Sequence, residues 1–291
     1  MLPNFIIVGA PKAGTTSLYH YLSEHPEVFM SEPKEVNYFS KIEIEQQGLY
    51  YQDFKAKDLK SYEAIFNSVS NEIAIGEGSV SYLFYPETPK KIKATIPDVK
   101  IIILLRDPIE RAHSHYLMDF RMGLVNLSFE EIVYKTSDHK KIDLFYQQYI
   151  ELGLYYKQIK RYIDTFGNAQ IKIFLQEDLK NNTEKVIFDL YSFLDIDNSI
   201  IIDTNQQHNA FSMPKNKVIH QLYSSYIIRS LIKTIFTEKI KEKIKNIFFE
   251  RKKKPKLNYK TKEYLQKIYF EDIKKLESLI NQDLSQWYKE S

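Results

Sequence analysis

Phe5-Ile6-Ile7-Val8-Gly9-Ala10-Pro11-Lys12-Ala13-Gly14-Thr15-Thr16-Ser17-Leu18 is the stretch that decides the fold. Its first four residues are apolar and mostly β-branched, the pattern of a buried strand, and Gly9 and Pro11 bound the run. Thr15 or Thr16 is placed to cap the next helix, from Ser17 to about Glu24, with Leu18 and Leu22 one turn apart. A strand that turns through glycines into a helix makes an anion site. Free backbone N–H groups point out of the helix N-terminus, and the helix dipole adds partial positive charge. Gly9 and Gly14 let the backbone approach an oxyanion. Lys12 adds a full charge, and Thr15, Thr16 and Ser17 add hydroxyl donors.

Working outward, His25-Pro26 ends that helix, and a loop runs through Glu32-Pro33-Lys34-Glu35 to Tyr38-Phe39. Ile73–Gly76 is a second short strand, and 86–96 is helical. Val99-Lys100-Ile101-Ile102-Ile103-Leu104-Leu105 is the strongest strand, apolar enough for a central parallel strand buried on both faces. Pro108 suits a first helical position, and that helix runs to about Met122. Residues 129–135 and 143–165 are further helices, 171–175 a strand and 183–194 a helix. Strands alternating with helices predict an α/β fold with a central parallel sheet of about five strands flanked by helices, in a P-loop-like arrangement. The last part, about 215–291, is helical and basic, ending in a helix over about 260–281. No repeat or linker divides the chain, so residues 1–291 are expected to form one domain.

Composition narrows the function classes. A chain of 291 residues with 43% hydrophobic residues can build one α/β core, and 22 Tyr and 18 Phe make that core aromatic-rich. A net charge of +3 is too weak to argue for nucleic acid but suits a polyanionic small molecule. With no cysteine, a thiolate nucleophile, a disulfide and a cysteine-ligated metal are all excluded, and a reducing compartment fits. No signal-peptide pattern and no run of ~18 apolar residues is present. A cytoplasmic location is therefore expected. The basic amphipathic stretch 227–249 leaves two uses open: packing against the domain, or lying with the basic run up to Lys256 (227–256) on an anionic membrane surface.

The spacing of Gly9 and Gly14 is that of a Walker A loop, G-x-x-x-x-G-K-[ST], but Thr15 stands where that motif has lysine. The lysine has moved back to position 12, which argues against a Mg²⁺-dependent γ-phosphate clamp. A P-loop kinase and a non-catalytic nucleotide binder remain as alternatives. Taken alone, the loop also fits a turn with a solvated lysine.

Pro11–Leu18 resembles the 5′-phosphosulfate loop of the sulfotransferases that use 3′-phosphoadenosine 5′-phosphosulfate (PAPS). Arg106-Asp107-Pro108-Ile109-Glu110-Arg111-Ala112-His113-Ser114-His115-Tyr116 resembles their 3′-phosphate motif. Gln176-Glu177-Asp178-Leu179 through Phe193-Leu194 is similar to their "EDL…FL" segment, and Asp272–Leu276 with Asp283-Leu284 to Trp287 is similar to their ending. The resemblance spans most of the chain in the right order. It implies PAPS as donor, the bisphosphate PAP as product, and no metal. It also implies Lys12 on the leaving phosphate oxygen, the loop residues Lys12, Ala13, Gly14, Thr15, Thr16 and Ser17 around the 5′-phosphate, and Arg106 and Ser114 on the 3′-phosphate. The strand order supports this independently. Arg106 follows the strongest strand and Lys12 follows the first, and ligands of open α/β sheets bind beyond the carboxyl ends of strands. Arginine also forks onto phosphate oxygens. The plain alternatives are an ion pair of Arg106 with Asp107 or a nearby carboxylate, and a Ser114 hydroxyl bonded back to its own helix. Arg111 is expected to be an exposed or structural cation.

On the acceptor side, Ser31–Phe39 resembles the "KEVHFF" stretch of glycosaminoglycan sulfotransferases, which implies Glu35 as the base. A polyanionic donor beside it would raise its pKa toward neutrality. The alternative pairs Glu35 with Lys34 or Lys12 and leaves it shaping the loop. Asn37 stands where that stretch often has His, and Ser40 where it has Asp. Glu77-Gly78-Ser79-Val80-Ser81-Tyr82 resembles the "EKTPAY" region, with Gly78 in place of lysine. These departures point away from an acceptor as acidic as heparan sulfate. The expected acceptor is a carbohydrate hydroxyl (or amine) of a cell-envelope or secreted glycan, with a lipid, a polyketide-type or another small-molecule hydroxyl as alternatives. Gln207–Lys217 resembles the late loop that closes over the donor, which makes Lys215 and Lys217 candidate donor ligands. His113 and His115 are expected to be structural, and His25 a capping or surface residue.

Overall fold

The computed structural model describes residues 1–48, 54–203, 213–215, 240, 248–250 and 254–289. Strand β1 (Phe5–Gly9) is wholly buried and leads through the loop to α1 (Thr15–Ser23). Next come β2 (Val28–Met30), α2 (Lys41–Gln46), α3 (Leu59–Ala64), β3 (Ala74–Gly78), α4 (Thr88–Thr95), β4 (Lys100–Leu105) and α5 (Pro108–Arg121). Beyond α5 follow α6 (Phe129–Tyr134), α7 (Ile142–Tyr149), α8 (Tyr155–Phe166), β5 (Ile171–Leu175), α9 (Gln176–Asn181) and α10 (Thr183–Leu194). A two-residue antiparallel pair, β6 (Met213–Pro214) with β7 (Phe249–Glu250), precedes α11 (Tyr259–Ile280).

The main sheet has the order β2-β3-β1-β4-β5, and every pairing in it is parallel. The α/β class and the count of five strands agree with the sequence reading. The apolar runs explain the order: β1 and β4 sit at the centre, and Ile6, Ile7, Ile101, Ile102 and Ile103 are fully buried. The strands β3, β1 and β4 therefore end side by side, and their following loops share one rim.

Three local readings need correction. Neither Thr15 nor Thr16 caps α1: Gly14 holds the N-cap in the left-handed region (φ 103°), and no side chain caps it. A side chain is disfavoured there by backbone geometry, so the residue must be glycine-like and the cap is left without a side-chain acceptor. Val28–Met30 is a strand in a stretch that the sequence presents as loop, because three residues carry too little pattern to be seen. The helix read over 143–165 is two helices. The chain leaves the helix at 150–154 because other groups take its carbonyls: Tyr269 Oη donates to Ile150 O at 2.9 Å, Arg111 Nη2 to Tyr149 O, and Gln158 Nε2 to Leu154 O at 2.7 Å. Gly153 lies at the break, where a Cβ would stand 3.0 Å from both Pro108 Cβ and Tyr269 Oη.

The stretch 227–249 lies outside the described residues apart from Ile240, Phe248 and Phe249, as does the late loop from Gln207 to Ser212. No described helix is long and apolar enough to cross a membrane.

Candidate active site

The loop after β1 is organised for an anion. Ala10 N donates to Leu104 O at 2.7 Å, which stitches the loop to β4. The amides of Gly14, Thr15 and Thr16 donate to none of the described residues, and neither do the hydroxyls of Thr15, Thr16 and Ser17. Half-buried and buried donors left open in this way need a ligand or water to satisfy them. Lys12 has a left-handed backbone (φ 68°), and its Nζ has Met118 Sδ at 3.3 Å as its hydrogen-bond partner. Burial lowers its pKa to about 8, helped by Arg121, Arg106 and Lys34 and opposed by Asp119. A cation held this way is under-compensated and takes an anion readily.

Arg106 follows β4. Its Nη1 donates to the Lys12 carbonyl at 3.0 Å, so the two cations predicted for the two ends of one ligand are brought together. Its Nη2 pairs with Glu110 Oε2 at 3.3 Å, while Asp107 instead caps α5 by accepting from Ile109 N and Glu110 N. Burial raises the pKa of Asp107 to about 6. Ser114 lies one turn beyond Glu110 on α5, half-buried, and its hydroxyl bonds none of the described residues, its own helix included. Lys254, unnoticed within the basic run 251–256, reaches this cluster and bonds Glu110 Oε2 at 2.7 Å. A lysine run carries no signal that says which member turns inward.

The histidines of α5 are packed into the interior. Both are buried and neutral near pH 7: burial and the nearby Lys254 push His113 down to about 4, and burial and Arg111 push His115 well below its usual range. Arg111 is fully buried and holds the Tyr149 carbonyl, so it is a structural cation and not an exposed one. His25 is buried, its Nδ1 accepting from Glu27 N in a turn.

The loop opposite carries Glu35. Its backbone is left-handed (φ 64°), and its N–H donates to Gly78 O at 2.8 Å. Carboxylate Oε2 accepts from Val80 N at 2.9 Å, and Oε1 pairs with Lys34 Nζ at 2.6 Å. Asn37 is also left-handed (φ 55°), and its N–H donates to Ser79 Oγ at 2.9 Å. Of the six non-glycine residues at positive φ among the described residues, Lys135, Asp195 and Asn281 close helices, a routine use. The other three are Lys12, Glu35 and Asn37. Lys12 and Glu35 sit at no helix end and Asn37 opens the 3-10 turn Tyr38–Ser40, and strain of this kind clusters where a site holds its groups in fixed directions.

Behind this loop lies Glu77, which the resemblance to the "EKTPAY" region names without giving it a role. Glu77 is fully buried toward the end of β3, and no cation among the described residues acts on it. Ser79 Oγ donates to its Oε1 at 2.5 Å and Tyr62 Oη to its Oε2. Burial raises its pKa to about 7, and the hydrogen bonds from Ser79, Tyr62 and Tyr82 limit the rise. The polar cluster continues through Ser81 Oγ, which donates to Asn37 Oδ1 at 2.6 Å and meets Ser40 Oγ at 2.7 Å.

Lys215 is exposed, and its described bond is from its backbone N to Phe248 O at 3.0 Å. Lys217 lies outside the described residues. Among the described residues no group of three or more His, Asp or Glu is placed to hold a metal ion.

Open amides, a half-buried lysine and an arginine at the carboxyl ends of β1 and β4 make a candidate site for a multiply anionic ligand. Comparison with known proteins agrees: the sulfotransferase domain model matches residues 2–277, and the chain belongs to that family, whose members use PAPS. A crystal structure of a sulfotransferase from Alicyclobacillus acidocaldarius superposes with a TM-score of 0.72 at 29% identity, covering 99% of this chain and 100% of the other. Mouse carbohydrate sulfotransferase 15 is 27% identical over 67% of this chain and 44% of its own length. Membrane-associated sulfotransferase kil1 of Dictyostelium discoideum is 34% identical over 47% of this chain and 28% of its own. The chain thus spans less than half the length of these curated relatives.

Proposed function

We propose that the chain moves the sulfuryl group of PAPS to a hydroxyl (or amine) of a carbohydrate, with Lys12 on the leaving phosphate oxygen and Glu35 as the base. The observation that carries the reading is the loop after β1, where three open amides, three open hydroxyls and an under-compensated lysine share one helix start. These groups suit a 5′-phosphosulfate. Arg106 and Ser114, with a free hydroxyl, suit the 3′-phosphate. The missing lysine after Gly14 weighs against a kinase.

Sulfuryl transfer asks for positioning and charge stabilisation more than for covalent chemistry. The open amides orient the phosphate, and Lys12 meets the charge that grows on its oxygen. Glu35 is held by Val80 N on Oε2 and by its own N–H on the Gly78 carbonyl, with Oε1 paired to Lys34 Nζ, and this fixed carboxylate supports the reading of it as base. In that role it takes the acceptor proton as the new bond forms. A carbohydrate acceptor is supported by the resemblance to carbohydrate sulfotransferases. A lipid or small-molecule hydroxyl is the second reading, and membrane contact through 227–256 belongs with it.

Incubation with sulfur-labelled PAPS against glycans, lipid extracts and small phenols tests the assignment; label transfer to glycans is expected. Glu35→Gln should cut transfer by about 10²–10⁴-fold while donor binding survives. Full activity in that variant would remove Glu35 as base and leave the donor site standing.

A further inference from the structure

We infer that Lys34 is a third catalytic group, one that hydrogen-bonds the oxygens of the sulfuryl group itself during transfer. The inference rests on the donor and base assignments above and adds a residue to them.

Lys34 is held in place along its length. A side chain begun at Gly78 would meet Lys34 Cγ and Cε at 3.8 Å and the ring of Tyr19 at 3.5 Å. The lysine stem therefore lies over the bare face of Gly78 beside Tyr19, whose hydroxyl donates to Ser31 O at 2.6 Å at the start of the same loop. Gly78 pairs with Ile7 in β1, so the stem lies at the carboxyl end of β3, next to the strand that leads into the Lys12 loop. The side chain is 20% exposed, well below what a solvated surface lysine shows.

Its ammonium is tied directly to the proposed base, bonding Glu35 Oε1 at 2.6 Å. Its positive charge also adds, as the smallest of the contributing causes, to the lowering of the Lys12 pKa. An ammonium has three donors. Among the described residues Glu35 takes one, and the remaining two are open.

In-line transfer arranges acceptor oxygen, sulfur and leaving oxygen on one axis. The acceptor oxygen–sulfur bond forms as the sulfur–oxygen bond to the phosphate breaks. The acceptor proton passes to Glu35, and the released electron pair stays on the phosphate oxygen beside Lys12. The three sulfuryl oxygens lie across the middle of that axis and carry negative charge throughout. A cation bonded to the base and adding to the field at the leaving-group lysine faces that middle. A plain Lys34–Glu35 surface pair would contribute little, about 0–1 kcal/mol to stability, and gives no reason for the stem to be laid over Gly78.

PAPS and PAP differ only by the sulfuryl group, so their affinities isolate this contact without an acceptor. Calorimetric titration of Lys34→Met and Lys34→Gln is expected to show PAPS bound about tenfold more weakly, the scale of one charge-assisted hydrogen bond, with PAP affinity unchanged. Lys34→Arg should recover part of the loss. Equal weakening of PAPS and PAP, or no change in either, overturns the inference. Failure of the unsubstituted protein to bind either nucleotide would instead remove the donor reading beneath it.

Discussion

Arg106 Nη1 donates to the carbonyl oxygen of Lys12 at 3.0 Å, so the residue proposed for the 3′-phosphate also braces the loop proposed for the 5′ end. This makes Arg106 different from Ser114, whose hydroxyl bonds none of the described residues. Arg106→Ala should weaken PAP by about 10–100-fold, and it should also weaken adenosine 5′-phosphosulfate, which has no 3′-phosphate. Ser114→Ala should weaken PAP by about fivefold and leave the second ligand unchanged. Competition binding with both ligands reads the difference. If Arg106→Ala affected PAP alone, the bond to Lys12 would carry no weight in the loop.

Lys12 makes affinity depend on pH. Its pKa is lowered to about 8 by burial and by neighbouring cations, and a bound anion favours the charged form. Affinity for PAP should hold up to about pH 8 and fall as the pH rises beyond it. Lys12→Met should bind weakly with that fall removed. The same residue costs stability. Its folded pKa lies below the unfolded value of 10.5, so the penalty for keeping it charged is present below about pH 8 and is relieved as the pH rises toward 10.5. Lys12→Met should therefore melt at a higher temperature at pH 7, a stability gain at the expense of function. A lower melting temperature would show that the bond to Met118 outweighs the buried charge.

The sheet and the donor loop were legible because their signals are local. Ile101 to Leu105 is apolar without interruption, and the glycine–lysine–threonine loop follows its strand within a few residues. The break at 150–154 was not legible, because it is made by Arg111, Gln158 and Tyr269 taking carbonyls from an otherwise helical run. The roles of Glu77, quoted only within the region resembling "EKTPAY", and of Lys254 were not legible for the same reason. A carboxylate at the end of a short strand and one lysine in a basic run look solvated until the fold buries the first and turns the second onto Glu110. Glu35 was found, but the three contacts that aim it, to Gly78, Val80 and Lys34, come largely from a segment more than forty residues away.

Arg111 is expected to matter for folding and not for the donor. It is fully buried and donates to the Tyr149 carbonyl, and His115 Nδ1 lies 3.4 Å from its Nη1. Arg111→Leu leaves that carbonyl and the surrounding polar groups without their partner, at a cost of about 2–4 kcal/mol. Urea unfolding should show the loss, while PAP affinity of the folded fraction stays as it was. A selective drop in PAP affinity at unchanged stability would move Arg111 into the donor site.

Glu77 should leave a signature in the pH dependence of stability. Burial raises its pKa from 4.5 to about 7, with Glu35 adding to the rise and three hydroxyl donors opposing it. Between those values the folded protein holds a proton that the unfolded chain has released, so folding stability falls as the pH rises from about 4.5 through 7. The full drop is about 3 kcal/mol, with smaller contributions from other groups superimposed. Glu77→Gln keeps the shape and stays neutral, so its stability should lack this fall and exceed that of the unsubstituted protein above pH 7. Activity should move the other way. The ionised carboxylate accepts from Ser79 Oγ, which in turn accepts from Asn37 N in the loop that aims Glu35. A glutamine can turn its amide nitrogen toward Ser79 and reverse that bond, loosening the Asn37 anchor. Melting curves from pH 5 to 8 for both proteins decide the matter. Parallel curves would mean that Glu77 does not titrate in this range, and that the hydroxyls of Tyr62, Ser79 and Tyr82 stabilise its charge more than burial opposes it.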